Sequence, residues 1–379
     1  MFKYDGNIGK EIRCSGAFIP KDLDRDVSEV LQSGWINTGK RERQLREKIC
    51  NIFNARYSIA TTSGTGSLKS AYSAIGIKSG DEVITTPWTF IATNTAILEM
   101  GAKPVFADIQ RDTLNIDPKS VEQKITNRTK AVVCVHFAGN PVDLDELRDV
   151  CGRYNLPLIE DCCHAMGSYY KDQKIGSGEL CTFSLQTVKI ITCGDGGFVT
   201  TSNEEYYSKL KKSIWFGIDR EARDGSPNVD PFFDYMPDTL GFKLNMNDIT
   251  ASMANIALEY LDICLERRRY IGEKYRDAFS NFEKVNMVKY HNFNIPNYQI
   301  FPVFVEDRKK FAEMMWENNI HVHMNNRRLD QYPIFGGLDA SLMNVQYAED
   351  HHIMIPCHYE MTNSDVDKVI DIVSRYEKL

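Results

Sequence analysis

Between residues 57 and 201, short apolar runs alternate with amphipathic stretches. The runs Tyr57–Thr61, Glu82–Thr86, Pro104–Asp108, Ala131–Phe137, Leu156–Asp161, Cys181–Leu185 and Gly197–Thr201 predict strands. Several are apolar without alternation, as strands covered by helices on both faces must be. Ser67–Ile75 sets Leu68, Ala71, Tyr72 and Ile75 on one helical face, with Gly76 as its C-cap. Asp143 can N-cap a helix carrying Leu144, Leu147 and Val150. The fold class expected is α/β, a three-layer large domain around a mostly parallel seven-stranded sheet. From Asp248 the pattern turns to long helices, Ile249–Leu261 and Ile263–Phe279. A strand at Ile300–Val305 and helices at Arg308–Asn318 and Asn363–Tyr376 then predict a smaller C-terminal α+β domain. The expected domains are 1–255 and 256–379, joined through helix.

A chain of 379 residues with 42% apolar residues can bury sizeable cores. The net charge of −7 and the absence of a basic domain exclude nucleic-acid binding by general electrostatics. The basic run Arg267–Arg269 reads as a solvated helix face. No apolar segment approaches membrane-spanning length, and the first residues lack the apolar core of a signal peptide. The ten cysteines are scattered with no CxxC pair, so a cytoplasmic protein with reduced thiols is expected. His321-x-His323 and His351-His352 lack partners at ligand spacing, so no metal is expected.

Four pieces of sequence fit the binding of pyridoxal phosphate. Ser63-Gly64-Thr65-Gly66-Ser67 joins a strand to a helix, where bare amides and a helix N-terminus favour a phosphate. It also begins a GxGxxG, but Lys69 stands in place of the third glycine, and a ligand-free turn is an equal reading. Asp161, at the end of an apolar strand, can keep a pyridine nitrogen protonated, or simply cap a helix. His164 would lie near the ring's phenolic oxygen; a satisfied core histidine is as good a reading. Trp88 can stack on a flat heterocycle or pack in the core. Ser184 precedes Lys189 by five residues, and Gly194, Gly196 and Gly197 follow. Val188, Ile190 and Ile191 draw Lys189 toward the interior, which favours a neutral, nucleophilic amine over a solvated charge. The order of the four pieces is more telling than any one of them.

In that order the chain resembles the DegT/DnrJ/StrS family of nucleotide-sugar aminotransferases, which have the aspartate-aminotransferase type of fold, fold type I of the pyridoxal-phosphate enzymes. The resemblance runs through Ser33–Gly39, Thr62–Thr65, Gly80–Ile84, Pro87–Phe90, Gly101–Asp108, Ile159–Asp161, Phe183–Gly197 and Leu240–Ile249. It implies that Lys189 is the Schiff-base lysine and the acid/base, Asp161 the partner of the pyridine nitrogen, and Trp88 the stacking aromatic. Gly64, Thr65 and Ser184 become phosphate ligands. It also implies a homodimer with shared active sites, in which Lys243 or Asn245 contacts the neighbouring subunit's cofactor phosphate. His164 replaces the family's usual glutamine. GFKLNMND replaces GYNYRM and is close to a GYKYN variant often found in enzymes that aminate C4 of a 4-keto sugar. Residues 214–220 replace an Arg-x-His-Gly segment. A branch that carries histidine for the lysine removes a 3-hydroxyl instead, and Lys189 argues against it.

The activity implied is transfer of an amino group from L-glutamate to a UDP- or dTDP-linked 4-keto-6-deoxyhexose. The alternatives are amination at C3 of a 3-keto-6-deoxyhexose nucleotide, or a regulatory protein that binds pyridoxal phosphate without turnover. Arg220 and Arg327 are the cations considered for glutamate's carboxylates.

Overall fold

The computed structural model describes residues 11–220, 237–324 and 326–379. Its main sheet has seven strands: β1 (Tyr57–Thr61), β2 (Glu82–Thr85), β3 (Lys103–Phe106), β4 (Thr129–Val135), β5 (Leu158–Asp161), β6 (Leu180–Ser184) and β7 (Gly197–Thr201). They run in the order β1-β7-β6-β5-β4-β2-β3. β7 is antiparallel to β1 and β6, and the remaining pairs are parallel.

Successive strand residues point to opposite faces, and each face has its own apolar cover. Ile59, Val83, Ala131, Val133, Ile159 and Val199 pack against Leu68 and Tyr72 of α3 (Gly64–Ala74), Ile97 of α4 (Ala92–Glu99) and Leu210 of α7 (Glu204–Ser213). Ala60, Ile84, Val132, Cys134, Cys181 and Phe198 face the other way. They meet Leu45 and Ile49 of α2 (Lys40–Phe53), Val121 of α5 (Pro118–Gln123), Leu147 of α6 (Leu144–Arg153) and Ala254 of α8 (Asp248–Glu259). A short helix, α1 (Val27–Gln32), leads into this layer.

The expected helices and strands are present, most of them with shifted ends. Phe137 lies beyond β4, in a turn whose Ala138 has φ of 57°. Asp143 stands at the N-cap of α6 but does not cap it. Its carboxylate instead accepts hydrogen bonds from Gln110 Nε2 and His291 Nε2, each at 2.6 Å.

The second core lies around β8 (Val285–Met287), β9 (Phe301–Val305) and β10 (His352–Ile355), an antiparallel sheet in that order. It is covered by α9 (Leu261–Phe279), α10 (Arg308–Glu317) and α12 (Asn363–Glu377), while α11 (Met343–His351) leads into β10. Leu265 still belongs to the large core and Ile271 to the small one, so packing changes sides within α9. Ile12 joins the small core and pairs with Ile320. The run Arg267–Arg269 is not a solvated face, because α9 crosses the chain ends that enter this core. Arg268 is buried and donates to carbonyls, and Arg269 donates to Gly167 O at 2.6 Å.

Candidate active site

β1, β5 and β6 run parallel, so Ser63, Asp161 and Ser184 emerge at one edge of the sheet, where open α/β sheets bind ligands. There a cavity of about 500 Å³ opens, closed on its far side by Cys14, Gln299, His323 and Met354. That volume suits a small organic ligand. Gly64, Thr65, Asp161, His164, Ser184 and Lys189 all line it.

At one end Ser63 caps α3, its hydroxyl accepting the Gly66 N–H at 3.0 Å. A Cβ on Gly64 would stand 2.7 Å from the Ser184 Cβ, so only glycine lets the helix start against that serine. The Ser184 hydroxyl and the first amides of α3 thus share a corner with the polarity an anion needs.

Asp161 is buried in the opposite wall. Its carboxylate accepts the Thr93 hydroxyl at 2.8 Å and the Cys163 N–H at 3.1 Å. Thr93 is itself 3.0 Å from the Thr89 hydroxyl. His164 is buried with Nδ1 unpartnered and its ring edge-on to Phe137; burial pushes its pKa well below the usual value, and the Lys189 charge adds to this.

Lys189 is half-buried on a turn held by its N–H to Gln186 O at 2.9 Å and by Thr187 Oγ1 to Gly194 O at 3.0 Å. Ile190 and Ile191 anchor the turn in the core, while Val188 is 41% exposed and lines the cavity instead. Burial lowers the pKa of the amine, opposed by the nearby Cys163 and Asp161.

Two expectations change, those for Trp88 and for the two arginines. Trp88 does not line the cavity. Its backbone N–H turns back to Thr86 Oγ1 at 3.0 Å, and the indole is fully buried against Phe137 and His352. Phe90, two residues on and 60% exposed, lines the cavity in its place. Lys243 and Asn245, expected at the neighbouring subunit's phosphate, lie outside this chain's own cavity. Their segment pairs along β1, with Thr62 N–H on Leu244 O at 2.9 Å. Lys243 Nζ donates to Asn245 Oδ1 at 2.6 Å and stands 4.2 Å over the Trp215 ring. Arg220 faces the same ring at 4.7 Å, and Arg327 pairs with Glu349 at 2.9 Å. Neither arginine reaches the cavity, whose walls carry no arginine among the described residues.

His323 lines the cavity and His321 faces Glu11 at 3.6 Å. His136, Glu160 and Cys162 lie close together on the other face of β5, but they are engaged. His136 Nδ1 accepts the Val142 N–H, and Glu160 takes His136 Nε2 and Arg148.

Several residues that matter had little signal in the sequence. Phe90 and Thr93 follow the expected aromatic in the same motif. Asn297 and Gln299 come from the segment before β9, which offered no pattern. Asp248 sits inside the resembling motif, yet its carboxylate accepts the N–H groups of Gly39, Arg41 and Glu42 and so caps α2.

The sequence profile of the DegT/DnrJ/EryC1/StrS aminotransferase family matches residues 18–374. An uncharacterised protein of Methanocaldococcus jannaschii is 34% identical over 365 residues, covering 93% of this chain and 94% of its own. The structure is similar to that of the sugar aminotransferase CalS13 from Micromonospora echinospora, with TM-score 0.90 and 28% identity over 96% of this chain and 99% of that one. Spr1654 from Streptococcus pneumoniae shares the fold at TM-score 0.88 and 24% identity, covering 97% of this chain and 98% of its own in its PMP-form. It is also solved in its PLP-form.

Proposed function

The chain belongs to the DegT/DnrJ/EryC1/StrS aminotransferase family, and from that premise we propose that it moves an amino group from L-glutamate to C4 of a UDP- or dTDP-linked 4-keto-6-deoxyhexose. The observation that carries the reading is the shared cavity of Lys189, Asp161 and the Gly64–Ser184 anion corner. The enzyme is a sugar aminotransferase and uses pyridoxal phosphate. The cavity fits that cofactor: a glycine admits the phosphate end, a buried carboxylate faces the ring end, and His164 Nδ1 is a buried polar atom without a partner. When bound, the cofactor supplies an electron sink for the pair left behind at a carbon that loses its proton.

The protein's own residues do the rest. The Ser184 hydroxyl and the Gly64 and Thr65 amides would hold the phosphate. Asp161, fixed by Thr93 and the Cys163 N–H, would keep the proton on the ring nitrogen. Phe90 would cover a ring face, and neutral His164 would hydrogen-bond the phenolic oxygen. Lys189 Nζ takes the proton from the α-carbon of glutamate in the first half-reaction and delivers one to C4 of the sugar in the second. In sum, glutamate's amino group replaces the keto oxygen, which leaves as water, while another water supplies the keto oxygen of the 2-oxoglutarate released, so no water is gained or lost overall.

A homodimer belongs to the same reading. It is supported by the exposed apolar residues Trp35, Ile36, Phe216 and Leu240 near the Lys243–Trp215 cluster, which would serve the neighbouring subunit's phosphate. The test of substrate is to incubate each 4-keto-6-deoxyhexose nucleotide with the enzyme and glutamate and to locate the amine by NMR. An amine on C4 is expected. An amine on C3, or no conversion of any keto-sugar nucleotide, contradicts the reading.

A further inference from the structure

Asn297 and Gln299 stand two apart in the segment before β9, and their side chains grip the two halves of the cavity. Asn297 is fully buried and donates to His164 O and Met166 O, both at 2.9 Å, on the loop that follows Asp161. Its Oδ1 accepts the Gln299 N–H at 2.8 Å. Gln299, 8% exposed, donates Nε2 to Val188 O at 2.7 Å, the carbonyl just before Lys189. Two side-chain amides thus tie the acid-bearing loop to the lysine-bearing turn. The carbonyls of Tyr298 and Gln299 are held in turn by buried Arg268, at 3.3 and 3.0 Å.

Only the amide nitrogen can donate to a carbonyl, so the bond to Val188 fixes which way the Gln299 amide faces. Its Oε1 has no partner, although the residue lines the cavity and is buried. A buried acceptor without a donor is costly and calls for a partner that arrives during the reaction. The Lys189 amine lines the same cavity, one residue past the bonded carbonyl, and has N–H groups to donate whenever it is free.

We propose that Gln299 is a positioning residue for proton transfer. It fixes the Lys189 turn through Val188 and accepts an N–H of the free Lys189 amine, so that the nitrogen lone pair is aimed at the reacting carbon. This rests on Lys189 being the amine that moves the proton. Other groups facing Lys189 are Asp161, Cys163 and His164 from the loop after β5, Asp195 from the turn after Lys189, and His323 from the small domain. None of them is altered by changing Gln299.

The test compares wild type with Gln299→Leu and Gln299→Glu in the full-length holoenzyme. The pyridoxamine-phosphate form is mixed with 2-oxoglutarate in single turnovers across pH, since Lys189 is free in that form. The visible absorbance of the pyridoxal-phosphate form is titrated without substrate, and thermal unfolding is recorded for each. Leucine should lower the plateau rate about tenfold or more with little change in KM, and should move the acid limb to lower pH. Glutamate, a stronger acceptor for the ammonium, should move that limb to higher pH. The absorbance midpoint should move in both variants. Wild-type rates, limbs and midpoints in both variants overturn the inference, as does a lowered melting temperature with unmoved limbs. A wild type that converts neither 2-oxoglutarate nor glutamate overturns the aminotransfer reading itself.

Discussion

The Thr93 hydroxyl donates to the Asp161 carboxylate at 2.8 Å, with the Thr89 hydroxyl 3.0 Å behind it. Thr93 has one proton to give and gives it to Asp161, so Thr89 must be the donor to Thr93. A carboxylate held by such a chain stays aimed. Thr93→Val keeps the shape and removes the donor. Affinity for pyridoxal phosphate and the rate of the glutamate half-reaction should each fall about tenfold or more. Thr93→Ser should retain most of both. Equilibrium binding of the cofactor to the apo-protein reads the first effect.

Phe90 and Trp88 should separate cleanly. Phe90→Ala should weaken cofactor binding by roughly 1 kcal/mol, the value of an aromatic stack, with little change in the urea midpoint of the apo-protein. Trp88→Ala should cost about 3–5 kcal/mol of stability by opening a hole beside Phe137 and His352. A Trp88→Phe variant that folds normally but loses the cofactor would reverse the assignment.

Asp248 joins two helices by one carboxylate, which takes three N–H groups at the start of α2. Asp248→Ala should cost about 3 kcal/mol, since charge-assisted caps in buried surroundings exceed surface ones. Chemical denaturation measures it, and a loss below about 0.5 kcal/mol would show the cap to be idle.

Acid should destabilise the fold through buried histidines. Burial, with Arg308 and His323 adding, lowers His352 to about 3; burial, with Arg268 next, lowers His358 to about 4. Both are neutral when folded but take a proton when unfolded. Their contribution is complete above about pH 6.5 and is lost as pH falls below it, by about 1.4 kcal/mol per unit for each histidine. His352 has both ring nitrogens unpartnered in an aromatic nest, so His352→Phe should flatten the fall by about one proton. Urea unfolding at pH 7 and pH 5 gives the slope, and an unchanged slope would refute it.

The sheet was legible because both of its faces are apolar: β1 and β7 have the ends expected from sequence. That Gly64, Asp161, Ser184 and Lys189 meet in one cavity was legible because strand ends, glycines and a lysine among apolar neighbours each carry a local signature. Trp88 was misread because two aromatics share one turn, and the backbone bond to Thr86 decides which faces inward. Asp143 and the Arg267–Arg269 run were misread because their partners, His291 and the carbonyls of Tyr298 and Gln299, are far away in sequence. Asn297 and Gln299 were invisible for the same reason. Local pattern finds elements and strand ends; it cannot find a side chain whose role lies in a distant backbone carbonyl.

The most direct measurement is the visible absorption of the purified enzyme, before and after L-glutamate is added. The expected result is a yellow protein whose visible band is bleached by glutamate, with one 2-oxoglutarate released per site, and no such response in Lys189→Ala. A protein that stays colourless after incubation with pyridoxal phosphate, or a band that glutamate leaves untouched, would contradict it.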